Sequence, residues 1–312
     1  MESVLIFHLS SLIHTTLIDK MIKIINNLAE DKIKKGYSKD NLELIEVKGQ
    51  RYVRKTWSDV KRGKRACQKQ ILFEEIRTGN IQIKSPKIID TYINENKNFE
   101  IIMEYIEGYS GSGLHKISSP LLVKNLRQAF SFIISSNIEE SHTEKILTIK
   151  LVNKLNRIYE EINDSGIKLH IKNLKTIINQ KSNYSIPIGK CHGDLTTENI
   201  IATSHSSFYI IDFLPCFLET PIWDLVKIKQ DLIYGWSTRY LKGYEMNNTK
   251  ILYQYLKPHQ LEIFDIKKEY IYKIFDAINI ARIAPYIKDV ITYEWVLNTM
   301  NRCMMELDNS NE

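Results

Sequence analysis

Apolar and polar residues follow two different periods along this chain. From Asn41 to Trp57, NLELIEVKGQRYVRKTW alternates with period two and carries Gly49 at its middle. That predicts two strands joined at a turn. KIIDTYI and FEIIMEYI predict two more strands, separated by the polar NENKN. Between the pairs, RACQKQILFEEIRTG has helical spacing and is predicted to be one helix ending at Gly79. Upstream, IKIINNLAEDKI also has helical spacing.

Beyond residue 107 the period is mostly that of helices. KNLRQAFSFIISS, EKILTIKLVNKLNRIYEEI and KNLKTIIN place apolar residues at i, i+3 and i+4. Two short strands are predicted around Ile200–Ala202 and Phe208–Ile211. WDLVKIKQDLIYGW, a segment around Lys250–Leu256, YIYKIFDAINIARI and EWVLNTMNRCMMEL predict the closing helices. The pattern divides into an N-terminal helical extension (1–33), a strand-rich part (34–106) and a helical part (107–312). No internal repeat or low-complexity linker interrupts it.

Composition changes this picture little. A 312-residue chain with 43% hydrophobic and 26% charged residues is that of a globular protein with a sizeable core. The net charge is +6 and uneven: residues 1–189 carry 30 Lys/Arg against 21 Asp/Glu, and residues 190–312 carry 13 against 16. The lysines are scattered, so they read as solvated faces and give no nucleic-acid-binding patch. The four cysteines show neither CxxC pairing nor metal-ligand spacing, which fits a reduced, cytoplasmic chain. MESVLIFHLSSLIHTTLIDK lacks a basic leader and is too short in apolar residues to span a bilayer, so it reads as an amphipathic segment, with Met21 as an alternative start.

Candidate chemistry gathers at CHGDLTTENI (191–200) and YIIDF (209–213). Moving a terminal phosphoryl group from a nucleotide to a hydroxyl requires three kinds of group. These are oxygen ligands for Mg²⁺, a cation for the phosphates, and a carboxylate to orient the attacking hydroxyl. Asn199 and Asp212 suit the metal, and Asp194 is then free to take the hydroxyl proton. In YVRK, Lys55 stands inside an apolar strand, where burying its charge is costly unless it meets an anion. GYSKD (36–40) precedes the first hairpin and is a candidate phosphate loop, though it has one glycine. GYSGSG (108–113) reads as a linker, with His115 exposed to solvent.

HGDLTTEN followed by IIDF resembles the aminoglycoside phosphotransferase and choline kinase branch of the protein-kinase-like fold, over roughly Lys34 to Leu232. The resemblance implies an α+β, two-lobed fold with a small antiparallel-sheet N-lobe and a larger, mainly helical C-lobe. It implies Asp194 as catalytic base, Asn199 and Asp212 as Mg²⁺ ligands, and Lys55 on the α- and β-phosphates. FEIIMEYIEG looks like the family's hinge strand, holding adenine through backbone groups from Glu104 to Ile106, with Met103 as gatekeeper. His192 and Asp224 support the site structurally, Asp224 by bracing the catalytic loop. The helix glutamate that pairs with the lysine is replaced by Gln70, and Glu74, one turn later, is the expected partner. The nucleotide is ATP, with GTP as the alternative, and the acceptor is a hydroxyl of an amino alcohol, sugar or aminoglycoside. LPCFLETPIWDLVKIKQDL resembles phosphotransferases of bacterial surface-polysaccharide synthesis. Among the aromatics of the last part, Trp236 and Tyr240, one helical turn apart, are the candidates for substrate contact.

Two other classes stand beside this reading. A protein kinase needs a long activation segment, and only 12 positions separate Asp212 from Asp224. A catalytically inactive nucleotide-binding protein would explain Gln70, but it has no physical need for Lys55, Asp194, Asn199 and Asp212 together.

Overall fold

A computed structural model describes residues 41–261 and 270–308. The extension 1–33 and the GYSKD loop at 36–40 lie outside the described residues. The chain divides into two compact units. One runs up to Cys67 and includes Pro86–Ile106; the other holds Gln68–Ser85 and the chain from Glu107 onward.

In the first unit, β1 (Asn41–Val47) and β2 (Gln50–Trp57) form an antiparallel hairpin. Its turn is Lys48-Gly49, with φ of 53° and 78°, the paired positive values that a two-residue hairpin favours. Helix α1 (Val60–Ile71) follows, and then β3 (Ile76–Thr78), β4 (Ile81–Lys84), β5 (Ile88–Ile93) and β6 (Phe99–Glu104). The antiparallel sheet of the first unit has the order β1-β2-β6-β5. α1 packs closely on it at Gly63, where a Cβ would lie 2.7 Å from the Phe99 ring and 2.8 Å from Trp57.

The helix predicted to reach Gly79 stops at Ile71. Ile71 and Leu72 are exposed, whereas Ile81 and Ile83 are buried and Ile76 packs against them. Strand pairing wins because β4 adds in parallel to β10 (Ser207–Ile210), which itself pairs with β9 (Ile200–Ala202). Residues 68–85 therefore belong with the second unit, which amends the single sheet-rich part expected over 34–106.

The second unit is mainly helical. α2 (Pro120–Glu139) starts with Ser119, whose hydroxyl accepts from the Leu122 N–H, and with Pro120 in the first turn. β7 (His142–Leu147), α3 (Thr148–Glu161), α4 (Ser165–Ile178) and β8 (Asn183–Ile188) follow. EKIL, expected as helix, is strand here: Ile146 is the buried residue of β7, and its neighbours pair with β8. After β9 and β10 come α5 (Ile222–Leu232), α6 (Gly243–Leu256), α7 (Tyr270–Ala281) and α8 (Val290–Asp308). Two apolar clusters fill the unit. α5 contributes Ile222, Trp223 and Val226 to one and Leu225, Ile228 and Leu232 to the other. The architecture is thus the expected one, a small antiparallel-sheet unit and a larger helical one.

Candidate active site

The loop between β8 and β9 carries His192, Asp194 and Asn199, and the loop after β10 carries Asp212. The hairpin β9–β10 brings them together: the Ile211 N–H donates to the Asn199 carbonyl at 3.0 Å, and the Leu214 N–H to the His192 carbonyl at 3.0 Å. The approach is so close that Gly193, at φ +90°, could carry no Cβ, which would stand 2.3 Å from the Leu214 carbonyl oxygen. Asp212 sits at φ +64°, a left-handed conformation that a non-glycine residue adopts at some cost and that recurs at functional sites.

The loop is held from below by one face of α5. Residues 224, 227 and 231 share that face by helical spacing, and all three are buried. Asp224 accepts from the His192 N–H (2.8 Å), the Gly193 N–H (2.8 Å) and the Asn137 amide (3.1 Å). These bonds tie the loop to α5. Asp231 accepts the Thr197 N–H at 2.8 Å, the Thr197 hydroxyl, and the Ser237 N–H at 3.1 Å. Lys227 reaches Asp194 Oδ1 at 3.0 Å.

His192 is buried within the fold. Its ring lies 4.5 Å from that of Phe213, Nε2 meets the Ile211 carbonyl at 2.8 Å, and Nδ1 accepts the Asp194 N–H at 3.2 Å. One nitrogen donating and one accepting is the neutral ring, and burial accordingly lowers its pKa. Burial pushes the Asp194 carboxyl up, but the nearby Lys227 ammonium above all more than offsets this and holds it below its usual range. Asp194 is therefore a carboxylate at neutral pH. The Asn199 amide donates to the Asp194 carbonyl (2.8 Å) and to Oδ2 (3.0 Å), leaving its own oxygen for another partner.

On the far side of the same loops, Lys69 of α1 donates to the Leu214 carbonyl (2.7 Å) and to Glu219 (2.8 Å) and reaches the Cys191 sulfur (3.5 Å). Burial lowers the Lys69 pKa, but Cys191, Cys216 and Glu219 together raise it to about 12. Cys191, Cys216 and Glu219 lie within 4.8 Å of one another, with the Lys69 ammonium among them.

In the first unit, Lys55 is buried on β2 opposite Ile101, its ammonium 4.1 Å from the centre of the Trp57 ring. Glu104 ends β6, with its N–H given to the Lys87 carbonyl at 3.0 Å, and Ile106 lies beyond the ladder. Glu74 is exposed and lies past the end of α1, so it is not one helical turn after Gln70, which is buried on the helix. His115 is half-buried in a 3₁₀ turn (Gly111–Ile117), not exposed to solvent. Trp236 and Tyr240 lie in the irregular segment after α5, not on a helix. The Arg239 guanidinium stacks on both, 3.4 and 4.4 Å from their ring centres. The two rings that were candidates for substrate contact thus hold a cation of the chain itself.

Sequence reasoning overlooked Lys227, Asp231, Lys69 and Glu219. A signal for the first two was present: Asp224, Lys227 and Asp231 share one face of the helix at i, i+3 and i+7, and polar residues on a buried face must meet polar partners.

No family model matches the chain, and no curated protein matches it. Solved structures do. The aminoglycoside phosphotransferase APH(4)-Ia superposes with a TM-score of 0.61 at 11% identity, covering 97% of this chain and 99% of that one. A thermostable mutant of it, in a ternary complex with ADP and hygromycin B, gives 0.58 at 10%, covering 94% and 97%. The GDP complex of aminoglycoside 2'-phosphotransferase-IIIa gives 0.54 at 15%, covering 96% and 98%. At these identities what is shared is the fold.

Proposed function

We propose that this protein is a nucleotide-dependent small-molecule kinase, moving the γ-phosphoryl group of ATP or GTP onto an acceptor hydroxyl. The observation that carries the proposal is the loop assembly itself. Asp194 is a carboxylate at neutral pH, Asn199 is tied to it, and Asp212 is brought alongside through the Ile211–Asn199 backbone bond. Asp194 orients the acceptor hydroxyl and takes its proton as the new O–P bond forms. The Asn199 amide oxygen and the Asp212 carboxylate are hard oxygen donors that fit Mg²⁺, which would neutralise phosphate charge there. Lys55 is assigned to the α- and β-phosphates and the backbone from Glu104 to Ile106 to the base. Glu74 is not carried forward as the partner of Lys55, because α1 ends before it. Nucleotide use is supported by the ADP and GDP complexes of proteins with this fold.

Phosphoryl transfer from ATP and from GTP with Mg²⁺, over a panel of sugars, sugar acids, amino alcohols and aminoglycosides, tests this. Turnover on some acceptor, abolished in Asp194→Ala, is the expected result. Nucleotide binding without any transfer or hydrolysis would instead favour an inactive nucleotide-binding protein, and absence of Mg²⁺–nucleotide binding would overturn the assignment.

A further inference from the structure

We propose that Cys191 and Cys216 form a redox site: a dithiol that hydrogen peroxide converts to a disulfide, with Lys69 and Glu219 as the charged groups that serve the reaction. The site stands whether or not the protein transfers phosphoryl groups.

Its surroundings set this pair apart from the other two cysteines, although all four are buried. Burial raises the Cys67 pKa, and Cys303 meets the Tyr234 hydroxyl at 3.8 Å within an apolar cluster. Cys191 and Cys216 share their space with two charges. Their sulfurs and a Glu219 carboxylate oxygen lie within 4.8 Å of one another. The Cys191 sulfur is 3.2 Å from Glu219 Oε2 and 3.5 Å from Lys69 Nζ. The Leu214 carbonyl at 2.7 Å and Glu219 at 2.8 Å hold the ammonium in place, and the Cys216 N–H holds Glu219 Oε1 at 3.0 Å.

A largely buried ion pair is a poor source of stability, whereas thiol chemistry has a use for one. The thiolate is the reactive form, and a neighbouring lysine favours it. The Cys191 S–H given to Cys216, helped by the Lys69 charge, holds the Cys216 thiol below its ordinary value against burial. The same hydrogen bond, with burial, pushes Cys191 up. One thiolate beside one thiol is what closure of a disulfide needs. A metal ion would have to displace the Lys69 ammonium from among the three groups, so thiol oxidation fits the arrangement better. The charged pair also reaches solvent, with 34% of the Glu219 side chain and 18% of the Lys69 side chain exposed. A water-sized oxidant can enter along them.

The reaction balances with peroxide alone. The Cys216 thiolate attacks one peroxide oxygen; an S–O bond forms, the O–O bond breaks, and the departing hydroxide takes up the proton that Cys216 had lost, leaving water and a sulfenic acid. Cys191 then passes its proton to Glu219 and attacks the Cys216 sulfur. The S–S bond forms, the S–O bond breaks, and hydroxide leaves with that proton as a second water. Two thiols lose two electrons and one peroxide gains them. The bridge would span the two loops that the Leu214 N–H and His192 carbonyl already join, with the Cys216 sulfur 2.9 Å from where a Cβ on Gly193 would stand.

Peptide mass spectrometry on the full chain tests this. The folded protein is treated with hydrogen peroxide, quenched, alkylated and cut with trypsin. Both cysteines fall on one tryptic peptide, residues 191–227. A bridge therefore reads as that peptide short of two hydrogens and free of alkyl groups, and dithiothreitol before alkylation restores two. The bridge is expected to form at least about tenfold faster than Cys67 or Cys303 reacts, and about tenfold more slowly in Lys69→Met. A peptide that keeps both thiols, a bridge that forms no faster than Cys67 or Cys303 reacts, or one that forms only in urea would overturn the inference. The comparison among cysteines is made on the unaltered chain, so it decides even if Lys69→Met does not fold. An unchanged rate in a folded Lys69→Met would overturn the part given to Lys69.

Discussion

Asp194 shows how a single side chain is tuned by its contacts. Burial alone would raise its pKa, and Lys227 at 3.0 Å reverses the sign. A carboxyl lowered in this way stabilises the fold above its unfolded pKa and loses that contribution as pH falls through the folded one. If Asp194 is the base, as proposed, its protonation sets the acid limb of kcat/KM. Lys227→Met removes the largest opposing influence and leaves burial dominant, so the acid limb should move to higher pH. A pH profile of transfer checks this, and an unmoved limb would mean that Lys227 does not act on the base. Asp224 is the second residue with a clear outcome. Its carboxylate only accepts, from two loop N–H groups and one amide. Asn at 224 turns one acceptor oxygen into a donor facing an N–H. We expect a loss of about 2–3 kcal/mol in stability and of about 100-fold in kcat, because loop geometry slips while nucleotide affinity stays. Urea titration and steady-state kinetics on Asp224→Asn separate the two effects.

At the scale of elements, the two loops touch where Gly193 meets Leu214. Alanine there has to adopt φ near +90° and place its Cβ against a carbonyl oxygen. Gly193→Ala should lose at least about 2 kcal/mol and most of its activity, and thermal melts alongside turnover read both. The sequence announced much of this scale. Period-two alternation placed β1, β2, β5 and β6, and the His-x-Asp-x-x-x-x-Asn and IIDF spacings placed the loops. What stayed hidden was non-local. The apolar positions of 71–79 fit a helix ending at Gly79 when read alone, and the strands β3 and β4 become visible only with the parallel partner β10, against which Ile81 and Ile83 are buried. EKIL is strand because β8, forty residues away, pairs with it. Lys69 finds Glu219 across a still longer gap of 150 residues. Helical spacing reports a neighbour one turn away and is silent about one across the core. The face of α5 was legible in principle, since Asp224, Lys227 and Asp231 recur on one face at i, i+3 and i+7.

In the second unit as a whole, α5 joins the parts. Trp223 and Val226 are buried in one apolar cluster, Leu225 and Ile228 in the other, and the remaining face grips the catalytic loop. A helix buried on every side has no solvated stripe on which to slide, so damage on either side is felt on both. The two clusters should therefore melt together. Val226→Ala and Ile228→Ala each remove buried methyl groups, at about 1–2 and 2–4 kcal/mol by the ordinary cost of core truncation. Calorimetry on the two variants should show the same transition of the helical unit moved down in both. The catalytic loop, which hangs from α5, should lose activity at the temperature of that transition and not before. Two separate transitions, each moved by only one of the substitutions, would show that the clusters are independent and that α5 merely borders them. A single shared transition would mean that the loop carrying Asp194 is as stable as the helix beneath it, the rigidity that the proposed transfer asks of a base held by one lysine and an amide.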